Sequence, residues 1–227
     1  MNVIQRLDRQ SSLEASIELE GMGFEPVWHL AVRGNTLPQV LADAERATAA
    51  GVGHVLCLLG DHQSDPGIES PAIAAAIRAL AEAVPSMTAG ATANQYVMDD
   101  KAWRNLEGKI SAGARYVQTQ PVFDADDLAP FAERLKSAHP DVCLVPMVMP
   151  LATLAAANAI QERLQIGLPE KLTGYLEHND AESAWAMFSA TLAILRDSPL
   201  YAGVAVMTFE MDAHADTGSR ICAALGE

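Results

Sequence analysis

The chain has 227 residues and a formal net charge of −14, with half its residues apolar and about a fifth charged. That length suits one large domain with a full core, and the composition is ordinary for a globular protein. An acidic surface repels phosphate backbones and anionic lipid, which argues against nucleic acid and membrane surfaces as partners.

The cysteines, Cys57, Cys143 and Cys222, are odd in number, far apart and outside any CxxC pattern. They read as reduced thiols of a cytoplasmic protein. No secretory leader pattern opens the chain, and no charge-free apolar run reaches the roughly 18 residues of a membrane span. His54, His214 and Asp216 lack metal-ligand spacing, so no metal site is expected.

Seven candidate strands follow one another: "ASIELE" (15–20), "VWHLAV" (27–32), "HVLCLLG" (54–60), "MTAGAT" (87–92), "YVQTQPV" (116–122), "CLVPMVM" (143–149) and "GVAVMTF" (203–209). Helical periodicity fills the gaps at 37–50, 69–84, 99–112, 126–138, 151–164, 169–178, 181–197 and near 212–225. Gly51 and Gly113 stand where helices must stop before a strand, and Pro38 and Pro71 where a first helical turn starts. Strands rich in Val, Leu and Met without strict alternation suit a parallel sheet buried on both faces. No GxGxxG or Walker loop supports a nucleotide-binding sheet. A single-domain TIM-like βα barrel over 1–227 is expected, with seven strands in place of eight, one βα unit short.

In such a barrel the working residues lie at the C-terminal strand ends. Those ends offer Glu18 and Glu20; His29 and Arg33; Asp61, His62 and Gln63; Thr92, Asn94 and Gln95; Gln118 and Gln120; Thr208 and Glu210. Several have plain structural readings beside the chemical one. His29 suits a hydrogen-bonded core position, Asp61 can cap a turn, and Glu18 can be an outward charge on a half-exposed strand. Gln118 and Gln120 resist that treatment. They share one side of a strand whose faces are apolar by default, and a buried amide needs partners for its donors and its acceptor. A ligand with an amide-like edge would supply them.

These segments resemble the methylenetetrahydrofolate reductase family. "HLAVRGNTLPQVLADAERATAAGVGHVLCLLGD" (29–61) is similar to its strand histidine, helix and strand ending in "RGD". "NLEGKISAGARYVQTQPVFD" (105–124) resembles "LKxKxxAGAxxxITQxFFD", "LVPMVMPLATL" (144–154) resembles "IxPGIMPI", and "GVAVMTFEM" (203–211) resembles "GxHFYTLN". The resemblance implies a βα barrel, a folate substrate, FAD, and reduction of 5,10-methylene- to 5-methyl-tetrahydrofolate. It assigns Asp61 and Gln120 to the pterin, leaves Gln118 beside them, and puts Leu154 where an aromatic often covers the folate. His29, Asn105 and Lys109 match flavin-side positions. "SIELE" is similar to the opening "SFEFFPPK", which makes Glu18 the proton donor. The departures concern the flavin: the "GGST" turn has no counterpart, the "RGD" arginine is Leu59, and "YPExHPE" is replaced by "ATANQYVMD".

Three functions follow from the resemblance. The first is a flavin-free tetrahydrofolate enzyme moving a methyl group to or from N5, for example from a methyl-corrinoid protein, with Glu18 managing the N5 proton. The second is a methylenetetrahydrofolate reductase that keeps FAD or uses NAD(P)H directly. The third is a folate-binding subunit without activity of its own. Open strand edges in a seven-stranded barrel further suggest a homo-oligomer or a partner chain.

Overall fold

The computed structural model describes residues 1–3, 10–60, 67–208 and 216–226. Along these the order is β1 (Asn2–Val3), α1 (Ser12–Gly21), β2 (Val27–Ala31), α2 (Leu37–Ala49), β3 (His54–Leu58), α3 (Ile73–Ala83), β4 (Thr88–Thr92), α4 (Asp100–Ser111) and β5 (Tyr116–Val122). Then come α5 (Ala125–Ala138), β6 (Cys143–Val148), α6 (Leu154–Leu164), α7 (Glu170–Glu177), α8 (Ala181–Asp197), β7 (Ala205–Val206) and α9 (Thr217–Leu225). The seven described strands share one sheet in sequence order, and the pairs β1–β2, β2–β3, β3–β4 and β6–β7 are parallel. No helix among the described residues is long and apolar enough to cross a membrane.

The strand count matches the expectation, but the first strand is elsewhere. "ASIELE" is helical and forms most of α1, while β1 lies at Asn2–Val3. Ser11 caps α1 by accepting a bond from Glu14 N at 3.2 Å. Leu13 and Ser16 are buried, with Ile17 packed beside the same core. That spacing is helical; the alternation of Ile17 and Leu19 mimics a strand only over its short length. The S-x-x-E pattern at Ser11–Glu14 is the sequence signal for this start. Elsewhere the stops behave as expected: Gly51 has φ 99° and Gly113 φ 121°, values that favour glycine. Pro38 lies in the first turn of α2, whereas Pro71 lies ahead of α3.

The described chain forms two compact units, residues 1–93 with 98–117, and residues 94–97 with 118–227. In the first, Trp28 and Leu30 of β2, Val55 and Cys57 of β3, and Ala89 and Ala91 of β4 join one core with Val40, Ala44, Ile77 and Leu80 of the helices. Alternation leaves His29, Leu56 and Gly90, aligned by strand register, on the opposite face. Gly90 is required there. A Cβ on it would lie 2.1 Å from the Tyr116 ring, whose hydroxyl donates to Val55 O at 2.9 Å. In the second unit, Phe123 and Met149 pack with Ala156, Ile160, Leu172, Leu176 and Ala184 of the helices. Thr191 of α8 donates to Phe123 O at 3.2 Å across this core.

Candidate functional site

In the second unit the site is built on the last residues of β5. Gln118 is buried, 5% exposed, and its Nε2 lies 3.8 Å from Met147 Sδ of β6. Gln120, one pleat further on, is half-buried. The two side chains share a face of the strand, as their parity predicts. Gln120's backbone is heavily bonded. Its N–H donates to Gln95 Oε1 at 3.0 Å, and its carbonyl accepts from Gln95 Nε2 at 3.1 Å and from Thr119 Oγ1 at 2.7 Å. Its side-chain amide has no hydrogen-bond partner among the described residues. Tyr96 donates to Pro121 O at 2.8 Å, and burial, reinforced by Asp127, pushes its phenol up to about 12. Leu154 opens α6, whose cap is Thr153, and is 36% exposed. An apolar side chain at that exposure can lie against a flat ligand.

The first unit holds His29, Asn105 and Lys109. His29 is 8% exposed, and its Nε2 is buried without a hydrogen-bond partner among the described residues. Burial pulls its pKa down to about 4, so the ring is neutral at pH 7. Lys109 of α4 is half-buried and its ammonium donates to Thr92 O, 3.0 Å away at the end of β4. Burial also lowers its pKa. Asn105, one turn earlier, is exposed. As a set these three do not fit a flavin: the amide faces solvent and the ammonium is tied to the protein's own backbone. A cleft of about 260 Å³ opens beside the start of α1, lined by Ser12, Trp28, His29, Arg33, Asn35 and Arg46 among others. Trp28 Nε1 donates to Ser12 Oγ, 3.2 Å away, and Ser12 donates to His29 O at 2.9 Å.

Glu18 requires a correction. It is exposed on helix α1, not on a strand end, so the argument for a buried carboxyl acting as an acid loses its basis. Asp61 lies outside the described residues, as do His62, Gln63 and Glu210. Gly60, which leads into Asp61, has φ 88°, and a Cβ there would sit 2.8 Å from Ala31 Cβ. The turn at that strand end is thus built for glycine. No group of three His, Cys, Asp or Glu side chains among the described residues is arranged to hold a metal. What sequence reasoning missed is the pairing of Gln95 with the Gln120 backbone. Gln95 was visible as a polar residue after β4, but its pairing with Gln120 spans 25 positions and left no local signal.

The chain is 27% identical over 184 residues to a 5,10-methylenetetrahydrofolate reductase of Salmonella typhimurium, covering 78% of this chain and 61% of that one. It is 26% identical over 168 residues to the Escherichia coli enzyme of that description, covering 71% and 56%. It therefore spans less than two thirds of the length of these relatives. Among solved structures, a Clostridium thermocellum protein that binds two copies of 5-methyl-5,6,7,8-tetrahydrofolic acid matches with a TM-score of 0.70 at 13% identity, covering 98% of this chain and 80% of that one. That likeness speaks for the fold, and the α/β class of the TIM-like βα barrel stands. The family model for methylenetetrahydrofolate reductase matches residues 5–196, which reaches further toward the N-terminus than the motifs did and stops before β7. With most of its length matched, the chain belongs to the methylenetetrahydrofolate reductase family.

Proposed function

We propose that the protein is a tetrahydrofolate-dependent one-carbon enzyme that moves a methyl group to or from N5 without a flavin. The observation that carries this reading is the state of Gln120. Its backbone is fully engaged while its half-buried amide, on the strand end where a family pterin contact falls, has no partner among the described residues. An amide offers a donor pair and an acceptor, which suits the mixed edge of an amino-pyrimidinone. Asp61 is the second reader in this proposal, its carboxylate accepting from the ring's N–H groups. Gln118 stands one pleat behind, and Leu154 lies over the ring. The likeness to a protein that binds 5-methyl-5,6,7,8-tetrahydrofolic acid supports the ligand class.

The residues supply orientation. In methyl transfer to tetrahydrofolate, the N5 lone pair bonds the incoming carbon, the donor keeps the old bonding electrons, and the N5 proton passes to water. A corrinoid protein suits the donor role. Holding N5 in line with the donor removes most of the entropic barrier. No step is routed through a flavin, because His29, Asn105 and Lys109 do not form a cradle for one. A second reading, reduction of the methylene form, is favoured by one observation: His29 Nε2 is buried and unpaired, and a bound group would satisfy it.

Titration with 5-methyltetrahydrofolate tests the shared pterin claim. Gln120→Ala and Asp61→Ala should each weaken binding at least about tenfold, the cost of roughly one lost ligand hydrogen bond. Unchanged affinity in both overturns it. An absorbance spectrum after incubation with FAD and desalting separates the two reactions: a retained flavin band gives the lead to the reductase.

A further inference from the structure

Gln120 is followed by Pro121, which has no N–H to offer a neighbouring strand. The backbone here is held instead by side chains from the connection between β4 and α4. Gln95, 8% exposed, accepts from Gln120 N at 3.0 Å and donates to Gln120 O at 3.1 Å. One carboxamide thus satisfies both the N–H and the C=O of Gln120, the two groups that a residue in a parallel ladder bonds to a neighbouring strand. The next residue, Tyr96, donates to Pro121 O at 2.8 Å. Thr119 adds its hydroxyl to the Gln120 carbonyl and accepts from Met147 N at 3.0 Å. Each of these groups binds backbone, and together they fix where the Gln120 side chain leaves the strand.

We infer that Gln95 is a positioning residue for Gln120: its amide stands in for a missing strand partner and sets the direction from which Gln120 reaches the pterin. This rests on the reading of Gln120 given above. The geometry is specific to a carboxamide. Glutamate would set a carboxylate oxygen against the Gln120 carbonyl, and leucine would leave both backbone groups without this partner. The segment 94–97, although it follows β4 in sequence, belongs with the second unit. The contacts of Gln95 and Tyr96 with β5 give the physical reason.

A double-mutant cycle with 5-methyltetrahydrofolate as the probe tests the inference. Gln120→Ala should weaken binding at least tenfold and Gln95→Leu about fivefold, while Gln95→Leu added to Gln120→Ala should change affinity by less than about twofold. Thermal melting of each variant confirms that it is folded; if Gln95→Leu does not fold, Gln95→Glu takes its place in the cycle. Loss in Gln120→Ala with none in the Gln95 variant overturns the positioning role and leaves the pterin reading standing. Full additivity also overturns it, since Gln95 would then act independently of Gln120. Unchanged affinity in Gln120→Ala removes Gln120 from the pterin reading, and the positioning role with it.

Discussion

The two compact units use polar side chains for opposite ends. In the first, four side chains tie the protein to itself, while His29 Nε2 stays unpaired among the described residues. Tyr116 donates to Val55 O, Ser12 to His29 O, Trp28 to Ser12, and Lys109 to Thr92 O. In the second, Gln95, Tyr96 and Thr119 bind the backbone around Gln120, and the Gln120 amide is left over. The difference teaches how to find a recognition group. On the function proposed above, exposure alone does not mark it; a side chain whose backbone is over-determined and whose own amide is unengaged does.

The comparison can be tested on the first unit by removing what its self-contacts achieve. The largest effect is expected from Gly90→Ala, whose Cβ would fall inside the Tyr116 ring. Expelling the ring should cost about 3 kcal/mol, read as a lower denaturation midpoint at constant m. A midpoint equal to wild type would mean that Tyr116 moves away freely, and the self-tied picture of this unit would fail.

Next is His29. Its folded pKa of about 4 lies below the ordinary 6.5, so between these values the unfolded chain binds a proton that the native state refuses. Stability should therefore rise with pH across about 4 to 6.5 and contribute no slope above that window, with a total of no more than about 3 kcal/mol. His29→Leu should flatten the slope. A variant that retains the full wild-type slope would assign it to other groups.

The smallest effect is expected from Lys109→Met. It should cost about 1 kcal/mol through the lost bond to Thr92 O and leave flavin retention unaltered from wild type. A change in flavin retention would sharpen the comparison the other way, by giving this unit a ligand role.

Much of this was legible in the sequence, for physical reasons that differ by region. Strands β2 to β6 are short runs rich in apolar residues, and their positions agree with expectation to within two residues at either end. Gln118 and Gln120 share a face because strand parity is local. The error at α1 has a local cause too: a short apolar alternation fits both periods, and the capping pattern at Ser11–Glu14 that marks the helix start was not read. Gln95 was hidden for the opposite reason. Its significance comes from a contact across 25 positions, which no window of neighbouring residues contains. The burial of His29, the exposure of Asn105 and the backbone bond of Lys109 were likewise invisible, since matching positions say nothing about burial or partners.

The Tyr116 ring over Gly90 has a kinetic consequence. Its hydroxyl bond to Val55 closes 61 positions of chain and requires the intervening strand to be in place. A contact of that separation carries a large closure entropy and forms after the local βα pieces have assembled. Its stabilisation therefore acts chiefly on the rate at which the finished unit opens, and hardly on the rate at which it folds. One aromatic residue opposite one glycine thus works as a latch set at the end of assembly, prolonging the lifetime of the native state.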